Sequence, residues 1–179
     1  MTTTQLQLRR DTTANVGAIT PAQGEPIYDV TRGALVLGNG STPGGLCVTP
    51  FTGTWTPQLE FGGASVGMTF SSEAGTWVQI GPFIIATFIV ILSAKGSSTG
   101  AASITGLPQA QTGQNGVCII GYHGSLNSSP DAIEALVNGS AVTLGKTGAT
   151  TTASMADTDF TNTSQLQGVA IYLAAQPTG

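Results

Sequence analysis

The stretch Ile80–Ala94, "IGPFIIATFIVILSA", decides the fold. From Pro82 to Leu92 it carries no charge, and Thr87 is its one clearly polar residue. A membrane-spanning helix needs about 20 apolar residues. Here Gly81-Pro82 opens the run and Ser93 and Lys95 close it, so the run is too short to span. Ile84, Ile85, Thr87, Ile89, Val90 and Ile91 are β-branched, and Phe83 and Phe88 are aromatic. Such residues lose rotamer freedom in a helix and pack well on a pleated sheet. A strand buried on both faces reads as a continuous apolar run. The residues therefore predict one long strand, roughly 30–35 Å at ~3.3 Å per residue, with something covering each face.

The rest of the composition agrees with strands. Only 8% of the 179 residues are charged, against about a quarter in ordinary proteins, while 40% are hydrophobic. That excludes a disordered chain, which needs few apolar residues and a high net charge. It suits a β-rich protein clothed in hydroxyls and amides, or one that hides its surface against copies of itself. The net charge is −4 and the basic residues Arg9, Arg10, Arg32, Lys95 and Lys146 are scattered, so no nucleic-acid partner is expected. Cys47 and Cys118 lie far apart and outside any C-x-x-C pattern, which argues against zinc or redox chemistry; two buried thiols are expected, with a disulfide the alternative. No apolar segment follows Arg9-Arg10, so a secretory signal is not expected. The sequons at Asn39, Asn127, Asn138 and Asn162 are attributed to chance in a chain rich in Asn, Ser and Thr.

Residues 1–45 read as a small separate module, 46–50 as a linker and 51–179 as one β domain. In the module, "LQLRRDT" opens with alternating Leu6 and Leu8, and "IYDVTRGALVLGNGS" gives two short strands turning at Thr31-Arg32-Gly33. Ser41–Gly45, "STPGG", reads as a linker too. Beyond Phe51, apolar-alternating stretches are cut by glycine at the spacing of a sandwich or barrel. Strands are predicted at Trp55–Phe61, Gly67–Ser72, Gly75–Ile80, Phe83–Leu92, Ala101–Thr105, Gly116–Tyr122, Val142–Leu144 and Gln167–Ala174. "SSPDAIEALVNG" carries both a helix start at Ser129-Pro130-Asp131 and a hairpin turn at Asn138-Gly139; the hairpin is preferred because its surroundings are strand.

Chemistry finds little purchase. "GSAVTLGKTG" misses the phosphate-loop spacing, since four residues before Gly145 lies Ser140 and Gly139 is one too far. The single histidine, His123, has no nucleophile motif to serve, and a loop histidine is the plain reading. Asp157 and Asp159, then Asp131 and Glu134, are the nearest approach to a glycosidase pair. "MADTDFTN" reads better as a turn capping itself through side-chain hydrogen bonds. No catalytic residue, metal site or cofactor is expected.

Two patterns resemble phage tail-fibre proteins. Leu6, Arg9, Arg10, Asp11, Gly24, Glu25, Tyr28, Thr31, Leu35, Gly38, Gly40 and Ser41 fill a pattern similar to the N-terminal module of tail fibres, tropism determinants and phage hyaluronidases. Thr54–Pro57, then Gly75, Trp77, Ile80 and Gly81, then the apolar run, Ile104–Pro108, Leu166, Gly168 and Tyr172 resemble the C-terminal β domain of fibres and spikes. The resemblance implies a homotrimeric structural virion protein, with a jelly-roll-like antiparallel β-sandwich behind a small hairpin module. It implies docking on another virion structural protein through Leu6, Leu8, Arg9, Arg10 and Asp11. Three copies would cover the second face of the long strand, making Phe83, Ile85, Phe88 and Val90 the core and trimer residues. No shaft separates the two parts, so a short fibre or spike that attaches to the host surface is expected, or else a head-fibre or tail decoration protein without a receptor. The hyaluronidase relatives use an elongated catalytic region for which this chain has no room. Receptor contact, with a surface glycan or protein, would come from loops at Lys95–Gly100, His123–Ser129 and Lys146–Thr152, with Tyr122, His123, Asn127 and Ser128 as contact candidates. The expected location is the virion, after synthesis in the host cytoplasm, with no membrane insertion.

Overall fold

A computed structural model describes residues 7–128, 130–148 and 152–174. Among them the chain divides into two units, one reaching to Phe51 and including Gln79–Pro82, the other made of Thr52–Val78 and the residues from Phe83 on.

The first unit contains β1 (Arg9–Asp11), helix α1 (Thr13–Gly17), β2 (Pro26–Asp29), β3 (Ala34–Leu37) and β4 (Leu46–Cys47). They form a sheet in the order β1-β2-β3-β4, with β1 parallel to β2 and the other pairs antiparallel. The expected hairpin at Thr31-Arg32-Gly33 is present, and a buried carboxylate closes it. Asp29 accepts the N–H of Thr31 at 3.0 Å and of Arg32 at 3.1 Å, and the Thr13 hydroxyl at 2.6 Å. This is an Asx-type turn, with Gly33 supplying the positive φ of 64° that follows. Helix α1 was not foreseen: it has one turn, too short to show a 3.6-residue period. Thr12 caps it by accepting the Asn15 N–H, and Val16 packs with Ile27 and Val36. Leu46–Cys47, in the stretch expected to be linker, pair with Val36 and Leu37.

The second unit holds, apart from the end residues Phe51, Gln79 and Ile80, a sheet of β5 (Phe51–Trp55), β7 (Thr69–Ile80), β8 (Phe83–Ala94), β14 (Phe160–Leu173), β10 (Gly116–Leu126), β11 (Ala132–Asn138), β12 (Ala141–Thr147), β9 (Ala102–Thr105) and β6 (Gln58–Phe61), in that order, with β13 (Thr152–Ser154) also on β12. The expected strand Trp55–Phe61 is really two, at opposite edges of the sheet. Only Thr56-Pro57 joins them, and proline has no N–H to give a ladder. Two edges linked by two residues must lie close together, so the sheet curls over on itself. The two layers of the expected sandwich are the two sides of that curl.

Several boundaries differ from expectation: β12 runs from Ala141 to Thr147, beyond Val142–Leu144, and β13 was not foreseen. β7 runs unbroken through Ser72–Gly75, where two strands were expected, because Gly75 makes no turn there. It makes room: an added Cβ would sit 2.2 Å from Trp55 Nε1. β10 continues past Tyr122 to Leu126, and β14 begins at Phe160, well before Gln167. The hairpin at Asn138-Gly139 forms as expected, pairing Asn138 with Ala141 and leaving Gly139 at φ 61°.

Inside the curl lie Ile84, Ala86, Phe88, Val90 and Leu92 of β8, with Trp55, Leu59, Phe61, Ile104, Val142, Leu166 and Tyr172. Trp55 meets Phe88 edge-on at 6.1 Å and donates its indole N–H to the Thr87 carbonyl at 2.9 Å. Each large side chain buried here contributes about 1.5–3 kcal/mol. The alternate residues of β8 face away from this core.

Candidate functional site

Those alternate residues begin a broad open face. Leu173 of β14 stands opposite Phe83, Ile171 opposite Ile85, Val169 opposite Thr87 and Gln167 opposite Ile89. On its other side β14 sets Ile171 against Val117, Val169 against Ile119 and Gln167 against Tyr122 of β10. Leu136 of β11 lies beside Val117. Phe83 and Ile119 are each 54% exposed, and Val117 is 51% exposed. Tyr122 reaches this face through a bulge between Ile120 and Tyr122, because one extra residue reverses the alternation. Its hydroxyl accepts a hydrogen bond from Gln165 Nε2 at 3.2 Å. The face thus grades from apolar at Phe83 and Leu173 to amide and phenol at Gln165, Gln167 and Tyr122.

A second feature gathers the loops. The 3-10 turn Asp157–Asp159 lies between β13 and β14. Lys95 Nζ donates to Asp157 O at 3.1 Å, and Asp157 Oδ1 accepts the Gly100 N–H at 2.8 Å. Lys146 Nζ donates to Asp159 Oδ1, and Asp159 Oδ2 accepts the Ala156 N–H at 3.0 Å. Asn127 completes the set, its N–H on Asp159 O at 2.9 Å and its amide on Thr158 O at 3.0 Å. Burial works against the Asp159 anion, but the bonds from Lys146 and Ala156 outweigh it and hold its carboxyl below the ordinary 3.8. Lys95, Asn127 and Lys146, one from each stretch expected to contact a receptor, therefore meet at one turn, Lys146 from within β12 and not from a loop.

The contact candidates do not form one patch. Tyr122 and His123 are successive strand residues on opposite faces of β10, the first opposite Gln167 and the second opposite Leu166. Asn127 is engaged by the turn, and Ser128 is half-buried beside it. Ser129 and residues 149–151 lie outside the described residues. Phe83 and Ile85 are on the open face, whereas Phe88 and Val90 are in the chain's own core. At the N-terminal module, Leu6 lies outside the described residues, Leu8 is exposed and Arg10 stands opposite Tyr28. Arg9 pairs with Glu25 at 3.4 Å. Asp11 accepts the Thr12 N–H and the Asn15 amide, which hold its carboxyl below the ordinary 3.8.

The titratable groups of the core have no reactive setting. Burial pushes the Cys118 thiol up to about 12 and the Tyr172 phenol up to about 12. Cys47 and Cys118 are free thiols. Among the described residues no three His, Cys, Asp or Glu side chains cluster in a way that could hold a metal ion, and no helix is long and apolar enough to cross a membrane. Sequence reasoning missed Val117, Ile119, Val169, Ile171 and Leu173 of the open face. Both alternating sets of β14 near its end are apolar, so the exposed set carries no signal of its own.

Residues 6–42 match the family described as the major tropism determinant N-terminal domain, which bears out the resemblance read between Leu6 and Ser41. The chain is also similar to the crystal structure of the Dettilon tailspike protein, at 22% identity and a TM-score of 0.60 over 69% of this chain and 23% of that one. At that identity the likeness is one of fold, and the match spans less than a quarter of the tailspike's length. No curated protein matches the chain.

Proposed function

We propose that this chain is a structural virion protein of a tailed phage, a short trimeric fibre or spike that attaches the particle to the host surface. The observation that carries the reading is a pair of likenesses in one chain: residues 6–42 match the tropism determinant N-terminal domain, and 69% of the chain shares the fold of part of a tailspike. In this reading the module docks on another virion structural protein through Leu8, Arg9 and Arg10. The tied loop end, with His123, Asn127 and Ser128 near it, meets a surface glycan or protein, and the repetition of three weak sites raises avidity. The protein acts by binding and not by turnover. Asp157 and Asp159 support this, since the lysines and backbone groups they hold leave neither carboxylate placed for acid-base work.

A decoration protein on the capsid or tail, without a receptor, is the second reading. It is favoured by the same turn: Lys95, Lys146 and Asn127 are already engaged within the chain. Competition separates the readings. Purified protein added to host cells is expected to block adsorption of the parent phage if the chain is the adhesin. Undiminished adsorption at saturating protein, with labelling of the capsid in particle images, establishes decoration instead.

A further inference from the structure

We infer that Thr161 and Ser164 are positioning residues for the loop end of the second unit: their hydroxyls hold Ser125 in a left-handed backbone conformation, and that conformation delivers Asn127 to the Asp157–Asp159 turn. The inference deepens the reading above and rests on it for one step, that this end meets the host. The pairing of β10 with β14 breaks abruptly here. Gly124 stands opposite Gln165 and Leu126 opposite Phe160, so Ser125 alone spans the four residues 161–164 of the other strand. One extended residue advances only ~3.3 Å, so those four must fold back on themselves. They do so through their hydroxyls: Ser164 Oγ accepts the Thr161 N–H at 2.8 Å, and Thr161 Oγ1 accepts the Thr163 N–H at 3.2 Å. The same two hydroxyls donate to Ser125 O, Thr161 at 2.6 Å and Ser164 at 2.8 Å, which fills both acceptor sites of that carbonyl. Ser125 has φ 54°, the one positive φ outside glycine among the described residues. A Cβ disfavours this region, so without the two donors Ser125 would return towards an extended conformation. Its side chain is exposed, so its own packing does not impose the turn. Backbone held against its preference concentrates where a fold must place a neighbour for use. Here the neighbour is Asn127, whose N–H reaches Asp159 O at 2.9 Å and whose amide reaches Thr158 O at 3.0 Å. Asn162, inside the same fold-back, accepts the Lys95 N–H at 2.9 Å and so fixes a second stretch of the loop end. A surface fixed before contact loses less conformational freedom on binding, which matters most where each site is weak.

Hydrogen exchange of the full chain, read by mass spectrometry, tests the positioning directly. Ser164→Ala is expected to speed exchange of the peptide holding Leu126 and Asn127 about tenfold, as local opening becomes easier, while peptides from β8 keep the wild-type rate. Thr163→Val removes a neighbouring hydroxyl that meets Thr161 and not Ser125, and is expected to leave the rate unchanged. Ser125→Gly supplies the rescue. Glycine enters the left-handed region without a Cβ penalty, so adding Ser125→Gly to Ser164→Ala should restore the slow rate. A hydroxyl that served packing alone would not be compensated by the backbone of another residue. Should Ser164→Ala not fold by circular dichroism, Thr161→Val, at a half-buried position, carries the same comparison. Wild-type exchange in both variants overturns the inference, as does fast exchange that Ser125→Gly fails to slow. Adsorption competition with the same proteins separates the inference from the function, and Ser164→Ala is expected to block host cells less well than the wild type. A wild type that blocks no adsorption removes the adhesin reading, and the exchange pattern then decides the inference alone. A wild type that blocks, beside a fast-exchanging Ser164→Ala that blocks equally well, keeps the adhesin reading and overturns the positioning role.

Discussion

An added methyl at Gly75 has nowhere to go, because the Trp55 indole nitrogen that donates to Thr87 already lies 2.2 Å from its position. Gly75→Ala must push the ring off its acceptor, and the expected loss is about 2–3 kcal/mol from overpacking and the broken bond. A lower urea midpoint with unchanged slope is the readout; an unchanged midpoint means the ring moves at no cost. Asp159 makes the second argument at this scale. Its carboxyl is held below the ordinary 3.8 in the folded chain, so its contribution is fully present above 3.8 and is lost as the pH falls through the lower, folded value. The loops tied to Asp157–Asp159 should therefore loosen below 3.8 before the sheet does. Pulsed pepsin cleavage checks this, with early cuts expected near Lys95–Gly100 or Asn127. Asp159→Asn should reproduce the loosening at neutral pH at a cost of about 1–2 kcal/mol, since Lys146 is partly exposed and water takes over its charge.

β8 buries one face and exposes the other, and adjacent isoleucines separate them. Ile84 is fully buried, so Ile84→Ala should cost about 2–5 kcal/mol at every protein concentration. Ile85 is 37% exposed in the single chain, and Ile85→Ala should matter chiefly to assembly. Thermal unfolding at several concentrations distinguishes them: Ile84→Ala shifts every curve equally, while Ile85→Ala lowers Tm most where the wild type is most assembled. Equal shifts for both would make Ile85 an ordinary packing residue. This strand was also the most legible part of the sequence, because β-branched and aromatic side chains over more than ten residues leave no helical alternative. The Asn138-Gly139 hairpin was legible for a similarly local reason, a turn that needs φ > 0 at Gly139. What stayed hidden depends on partners distant in sequence. Gly75 reads as a turn until Trp55 is seen to fill its place, and Thr56-Pro57 reads as the middle of a strand until its two ends are found on opposite edges. The open face of β14 stayed hidden because Gly168 and Ala170, which face inward, are no more apolar than the outward Val169 and Ile171.

At the scale of the whole molecule the scarcity of charge becomes a statement about conditions. Both lysines of the chain serve the Asp157–Asp159 turn, Arg9 pairs with Glu25 and Arg32 lies 3.9 Å from Asp29. The ionic contacts thus hold local turns and leave the long strands to apolar packing. Contacts between exposed charges weaken as salt shortens the screening length, from about 14 Å at 0.05 M to about 4 Å at 0.5 M. A contact confined to β8, β14 and β10 would have no Asp, Glu, Lys or Arg to screen. Its association should keep the same mass across that range and should tighten in sulfate, which favours burial of apolar surface. Cooling should loosen it for the same reason, because the apolar driving force fades at low temperature. Sedimentation in a salt and temperature series reads all three effects. An assembly that dissolves in sodium chloride, yet is indifferent to cold, would be held by ion pairs, which the neutral strands do not contain; the contact would then have to lie elsewhere on the chain.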